Sequence, residues 1–342
     1  MSRESGAIHS GKDVETKGGN HKTIKDWKAQ YGAQEVESWL AQYDLRVQTK
    51  GSSRGLFYAT VTAGSWIVEM THKVLDWRNR RAWLQHVRSY AKPLLTPSLA
   101  KVLEQRRPQC WSDVMDWLPN HDDLVPEFCD RMSSFYTHFK AFHGCRPESL
   151  SSYYEHGLRG QNANSIIKKF RQLFADLPAA SLDQAIERMK HRESSERGRI
   201  WLSGDDRTMV REFGHYIING SEYLLALAAK LCGGRYDEDY RLRLRTIGIP
   251  TVLEVDIPIE LITPAQKLDV AKIILSEWGQ LRTKRPLGIS SSPSYVVRSD
   301  IPAECIKAHY HPAKIQDFHH DIPTYINKAV RCDHCPPDPE PA

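Results

Sequence analysis

Five side chains between residues 143 and 222 are of types that could do chemistry. His143 opens the run His143-Gly144-Cys145-Arg146, where an imidazole can donate a hydrogen bond to a ligand hydroxyl and a guanidinium suits phosphate oxygens. The plainer alternatives are a histidine bonded to its own backbone neighbours and an arginine paired with Glu148. Trp201 and Tyr216 each offer a ring face for stacking, or each is an ordinary core aromatic. Glu222, in Gly220-Ser221-Glu222-Tyr223, is a carboxylate at a turn that enters an apolar helix; Ser221 can cap that helix, and the charge also suits its first turn with no chemistry at all.

Strand and helix ends must position these groups. Phe139, Ala141 and Phe142 read as the end of a helix over Glu127–Phe139 running into a short strand, so that His143-Gly144 sits where the strand stops. Pro147 in the first helical turn, with Leu150, Tyr153 and Tyr154 as an apolar side, predicts a short helix over Ser149–Glu155 closed by Gly157. Ile200–Ser203 reads as a strand carrying Trp201, and Phe213-Gly214-His215-Tyr216 as part of a helix. Val252–Val255 and Tyr295–Val297, each followed by Ile-Pro, read as later strands. Ala163–Leu177 and Ser181–His191 predict two intervening helices, with Ser181 as a cap.

The His-Gly-x-Arg unit with its short helix and Gly157-Leu158 resembles the first NAD-binding motif of the ADP-ribosyltransferase superfamily, in its His-Tyr-Glu branch of poly(ADP-ribose) polymerase and diphtheria-toxin type. Gly198–Ser203 is similar to that family's second strand, Phe213–Tyr216 to the helix bearing its tyrosine, and the runs at 252–255 and 295–297 to its last strands. The resemblance spans roughly residues 130–315 and rests on the order of all four motifs. It implies an α+β fold of split antiparallel sheets with helical insertions. It also implies NAD as substrate, with His143, Gly144, Arg146, Trp201, Ser203, Tyr216 and Ser221 around it and His143, Tyr216 and Glu222 as the catalytic set.

Breaking the nicotinamide–ribose bond builds an oxocarbenium-like charge, so such a site needs a grip on the dinucleotide, aromatics about the leaving group and an acid near the ribose. In the resemblance His143 serves a ribose hydroxyl and Arg146 the pyrophosphate or adenylate end. The family's usual glutamate falls here on Ser294, before Tyr295-Val296-Val297, which makes Glu222 the substitute and Glu254 a weaker one.

The chain has 342 residues, 40% of them hydrophobic and 26% charged, enough for a sizeable core and two domains. No apolar run reaches the roughly 18 residues of a membrane span, and the first residues lack a signal peptide's apolar core, so the cytoplasm is expected. Seven scattered cysteines suggest reduced thiols, and a net charge of +5 is too mild to declare a nucleic-acid partner by itself. Residues 1–21 read as a disordered leader and 22–125 as a smaller α+β module, with a helix from Thr23 to Tyr43 and paired strands at Gly55–Val61 and Trp66–Val68. Within that module, Thr71–Arg107 holds nine Lys and Arg against two acids, interleaved with Trp77, Trp83 and Tyr90. This is a nucleic-acid surface if the rings stack on bases, or the solvated side of helices if the rings are core.

Residues 126–330 form the transferase-like domain, and 331–342 a flexible tail. Cys332-Asp333-His334-Cys335 suits zinc in ligand type but lacks the second pair of a strong signature, so no metal site is expected there; His309, His311, His319 or His320 could contribute only if the chain folds back. The expected activity is transfer of ADP-ribose from NAD to a macromolecular acceptor, with RNA or DNA ahead of protein. By analogy the setting is an intracellular toxin or anti-phage effector, with an antitoxin protein as partner. The alternative is a catalytically degenerate nucleic-acid-binding or interaction protein. A tRNA 2′-phosphotransferase-like enzyme ranks third, because its arginine-rich signature is not evident.

Overall fold

A computed structural model describes residues 49–50, 58–59, 73–106, 115–231, 238–287, 292–317 and 323–335. The chain divides into two compact units, Met1–His72 and Lys73–Ala342. In the first, β1 (Thr49–Lys50) pairs antiparallel with β2 (Tyr58–Ala59). The expected strand at Gly55–Val61 thus finds its partner upstream; Trp66–Val68, the leader and the Thr23–Tyr43 helix lie outside the described residues.

The second unit is an α+β fold around a six-stranded sheet. The strands are β3 (Val74–Leu75), β4 (His138–Cys145), β5 (Ile200–Ser203), β6 (Thr251–Pro258), β7 (Ser294–Val297) and β8 (Ile306–Tyr310). The order is β7-β5-β4-β6-β8, antiparallel throughout, and β3 adds a short parallel pairing at the start of β4. β4 pairs with β6 along its whole length, from His138 opposite Pro258 to Cys145 opposite Thr251. That pairing explains a correction: the helix over His121–Phe135 ends earlier than its apolar run suggests, Tyr136 is already extended, and His143-Gly144 lie inside the strand. β9 (Lys314–Gln316) and β10 (Thr324–Ile326) form a separate antiparallel pair.

Ten helices, labelled here among the described residues only, cover the sheet. They are α1 (Arg80–Tyr90), α2 (Pro97–Arg106), α3 (His121–Phe135), α4 (Ser151–His156), α5 (Ala163–Leu173), α6 (Ala179–Glu196), α7 (Asp206–Glu212), α8 (Gly214–Asn219), α9 (Glu222–Leu231) and α10 (Pro264–Thr283). α10 begins with a capping box between Thr263 and Gln266 and with Pro264 in its first turn, which satisfies amides that would otherwise lack partners. Its Val270, Ile274 and Leu275 join Phe139, Leu253 and Val255 in the main core, and Val125, Phe128 and Met132 bring α3 to the same place. Met209, Ile217 and Ile218 of α7 and α8 pack against Phe142 and Val252 in a second cluster, while α5, α6 and α9 close a third around Phe170, Phe174 and Leu227.

The basic stretch belongs to this unit and not to an N-terminal module ending near 125. Trp83, Val87, Tyr90 and Leu103 lie in the same buried cluster as Phe139. Trp77 stacks on Trp83 at 5.0 Å, so the rings that alternate with the cations are core aromatics and not base-stacking platforms. Arg78 contacts Asp76, Asp206 and Glu254, and Arg80 pairs with Glu277. Arg81, Arg88, Lys92 and Lys101 are exposed.

Two helix expectations also shift. α4 starts at Ser151, leaving Pro147 ahead of it, and ends as expected at Gly157, whose φ of 76° is the left-handed conformation glycine favours. α6 starts at Ala179 after Pro178, so Ser181 lies within its first turn and is not its cap.

Candidate active site

One cleft of about 1450 Å³ gathers the residues singled out above: His143, Gly144, Arg146, Trp201, Ser203, Tyr216, Ser221 and Glu222 all line it. They come from β4, β5, α8 and the turn into α9, elements far apart in sequence. The volume exceeds the roughly 300–1,000 Å³ typical of small-ligand pockets, leaving room for an extended dinucleotide.

His143 sits near the end of β4, and its Nδ1–H donates to the Trp201 carbonyl oxygen at 2.9 Å. The carbonyl can only accept, so the tautomer is fixed with the proton on Nδ1. Burial pushes the imidazole pKa below its ordinary value, the bond to Trp201 opposing this, and the neutral ring offers Nε2 as an acceptor. The expected role of hydrogen-bond donor is thereby reversed: His143 can accept from a ligand hydroxyl. Gly144 is required by close packing, since a Cβ there would come within 2.8 Å of Ile217 Cγ1 and 3.0 Å of Met209 Sδ.

Trp201 is 50% exposed between the buried Ile200 and Leu202, so it is not a core aromatic. Arg199, two residues earlier and hence on the same side of the strand, holds its guanidinium 5.9 Å from the Trp201 ring centre. Phe213, 43% exposed, also lines the cleft, with its ring centre 6.5 Å from that of Tyr216.

Glu222 heads α9. Its carboxylate accepts from the Tyr216 hydroxyl at 3.0 Å and from Arg192 of α6 at 3.0 Å, two bonds that fix its direction. Arg192 was hidden in sequence within the charged run before β5, and no local signal links it to a residue thirty positions away. Glu254 is not among the lining residues: it pairs with Lys140 and Arg78 in a charged cluster elsewhere on the sheet. Ser294, in register with Ser203 across β5 and β7, does line the cleft.

Three expected ligand contacts are engaged within the protein itself. Arg146 donates from Nε to Ile247 O at 2.6 Å, from Nη1 to Ile218 O at 2.9 Å, and from Nη2 to Arg245 O. A guanidinium spent on three carbonyls is a structural tie and not a phosphate grip, and Glu148 pairs with Lys169 instead. Ser203 Oγ closes a turn with Asp205, donating to its carbonyl and accepting from its amide. Ser221 Oγ accepts from the Leu224 amide at 3.4 Å, the expected cap. Cys145 also lines the cleft, but burial pushes its thiol up to about 12, which leaves it un-ionised and a poor nucleophile.

Cys332-Asp333-His334-Cys335 is not a loose tail. His334 reaches Ser151 Oγ at 3.1 Å, and both cysteines lie beside His309; residues 336–342 are outside those described. Among the described residues, no helix is long and apolar enough to cross a membrane, and the cysteines form no disulfide.

A family model described as the bacterial xenogeneic silencer MvaT, C-terminal domain, matches residues 8–39. This short span overlaps the expected leader and the Thr23 helix and lies outside the described residues. No curated protein and no solved structure matches the chain.

Proposed function

We propose that this protein is an ADP-ribosyltransferase that uses NAD as substrate and modifies a macromolecule. The observation that carries this reading is the convergence of His143, Trp201, Tyr216 and Glu222 from separate elements onto one cleft, joined by the His143–Trp201 and Tyr216–Glu222 hydrogen bonds. His143 Nε2 accepts from a ribose hydroxyl, and Trp201 and Tyr216 face the nicotinamide. As the bond from ribose C1′ to the pyridinium nitrogen breaks, its electron pair leaves with nicotinamide. Glu222, held by Tyr216 and Arg192, stabilises the positive charge that develops on the ribose. The acceptor nucleophile then bonds to C1′ and gives up its proton.

Nucleic acid ranks ahead of protein as acceptor. The match of residues 8–39 to a silencer DNA-binding domain supports that order, and the basic helix less so, now that Arg78 and Arg80 are tied internally. A cytoplasmic toxin or anti-phage effector, with an antitoxin partner, is the setting proposed by analogy. A second reading, a catalytically degenerate nucleic-acid-binding protein, draws on the same match and on the serine at position 294.

The test is incubation of purified protein with labelled NAD and separate protein, DNA and RNA fractions. Label in one fraction identifies the acceptor class. Release of nicotinamide with no labelled fraction points to NAD hydrolysis, and neither outcome leaves the binding protein.

A further inference from the structure

His309 and His311 at the end of β8 and Cys332 and Cys335 near the C-terminus bring four metal-ligating atoms within 4.8 Å of one another. His309 Nε2 lies 3.4 Å from Cys332 Sγ and 3.5 Å from Cys335 Sγ, and the two sulfurs are 3.8 Å apart. A tetrahedral zinc with bonds of about 2.3 Å to sulfur and about 2.0–2.1 Å to nitrogen requires edges of roughly 3.8 Å between sulfurs and roughly 3.6 Å from sulfur to nitrogen. The sulfur separation is far beyond the roughly 2.05 Å of a disulfide.

Hydrogen bonding alone does not account for the cluster. His311 is only 8% exposed, its Nδ1 faces the Pro250 carbonyl at 3.1 Å, and its buried Nε2 has no hydrogen-bond partner among the described residues. A buried imidazole nitrogen without a partner is costly, and here it belongs to a group of lone-pair donors. The surrounding bonds fix the ligands as an outer shell does. Pro250 O accepts from His311 Nδ1–H, which leaves Nε2 with its lone pair; Tyr154 OH lies 2.6 Å from His309 Nδ1, and with its oxygen accepting there His309 Nε2 is left free in the same way. The Cys332 amide donates to Cys335 Sγ at 3.4 Å, a backbone bond that holds that sulfur in place.

We infer that His309, His311, Cys332 and Cys335 form a structural zinc site. Four protein ligands close the tetrahedron, so the site holds the chain and does no chemistry. It fastens the segment Arg331–Cys335 to the end of β8 and to α4, whose Ser152 and Tyr153 line the cleft.

The test uses the full-length protein, expressed with zinc supplied and freed of loosely held metal by gel filtration. Elemental analysis should give roughly one zinc per chain, and H311A and C335S should each lower it several-fold. Exchange of the unaltered protein with Co²⁺ should produce visible tetrahedral bands and thiolate-to-cobalt absorption, a readout independent of how the variants fold. A strong chelator should lower the melting temperature of the parent. Folded parent with far less than one zinc and no cobalt bands would overturn the assignment. So would a mass two hydrogens short, which reports a disulfide, or metal content unchanged in both variants.

Discussion

Arg146→Ala separates two accounts of one residue. The guanidinium joins the end of β4 to three carbonyls, those of Ile218, Arg245 and Ile247, and its centre lies 5.9 Å from the Tyr325 ring. A hydrogen bond from a charged donor nets about 1.5–3 kcal/mol. Arg146 is half-buried, so water can replace part of what is lost, and the three bonds share one group and do not add fully. A loss of about 3 kcal/mol follows, which in a unit of this size lowers the melting temperature by roughly 6 °C. Arg146→Lys, able to serve one carbonyl well, should recover about a third of that loss. Thermal melts followed by tryptophan fluorescence, alongside calorimetric NAD titration, give both quantities. If Arg146→Ala melts within a degree of the parent yet loses NAD binding, the residue grips phosphate after all and the structural reading is wrong.

Glu222→Gln should keep NAD affinity within a few fold and lower nicotinamide release by about two or more orders of magnitude, whereas Glu254→Gln should change stability before it changes turnover; the reverse pattern, read in the same release assay, would misplace the acid. Because burial depresses the pKa of His143 below its ordinary 6.5, the folded protein resists its protonation. The stability it contributes is complete above about 6.5 and is lost as pH falls from there through the folded value, whereas NAD affinity should hold down to the folded value and decline as pH falls through it. His143→Ala should abolish the acidic decline together with most of the binding, and an unchanged titration curve in the folded variant would remove His143 from the site. Arg78→Gln removes one shared cation from Asp76, Asp206 and Glu254, so it should cost about 1–3 kcal/mol in a thermal melt with little effect on the salt dependence of nucleic-acid binding. Replacing exposed Arg81, Arg88 and Lys92 with Gln should do the opposite, each lost phosphate contact reducing the salt slope by about one unit; equal slopes in parent and variant would move nucleic acid off this face.

Strands β5, β6 and β7 were readable because each is an apolar run bounded by Gly, Pro or Ser, and pairing turned those runs into a sheet with Trp201 outside and Ile200 and Leu202 inside; β3, β8, β9 and β10 carried no such signal. Gly157 marked the end of α4 through a conformation few other residues take. What failed to show in sequence depends on partners far along the chain. Trp83 and Tyr90 alternate with arginines much as a base-stacking surface would, and only their packing against α3 and Phe139 makes them core. Arg146 has phosphate chemistry by type, but the carbonyls it meets lie 72, 99 and 101 residues on. Cys332 and Cys335 were plain to see, while His309 and His311 join them only because the chain returns along the edge of β8.

The path between Gln161 and Gly198 carries one more consequence. The chain leaves the sheet region and comes back through a neck where Gly198 N donates to Gln161 O at 2.9 Å and Gln161 N to Arg199 O at 3.3 Å. Everything between, α5 and α6, is a handle whose two ends are already fastened to each other. Its length can therefore drift over evolutionary time, or be exchanged by grafting, with β5 keeping its register. Yet this handle packs against α9 and supplies Arg192 to Glu222, so a part of the chain outside the sheet holds one of the groups that orients the acid. A lineage that reshaped the handle could tune or silence the cleft and leave every strand where it was.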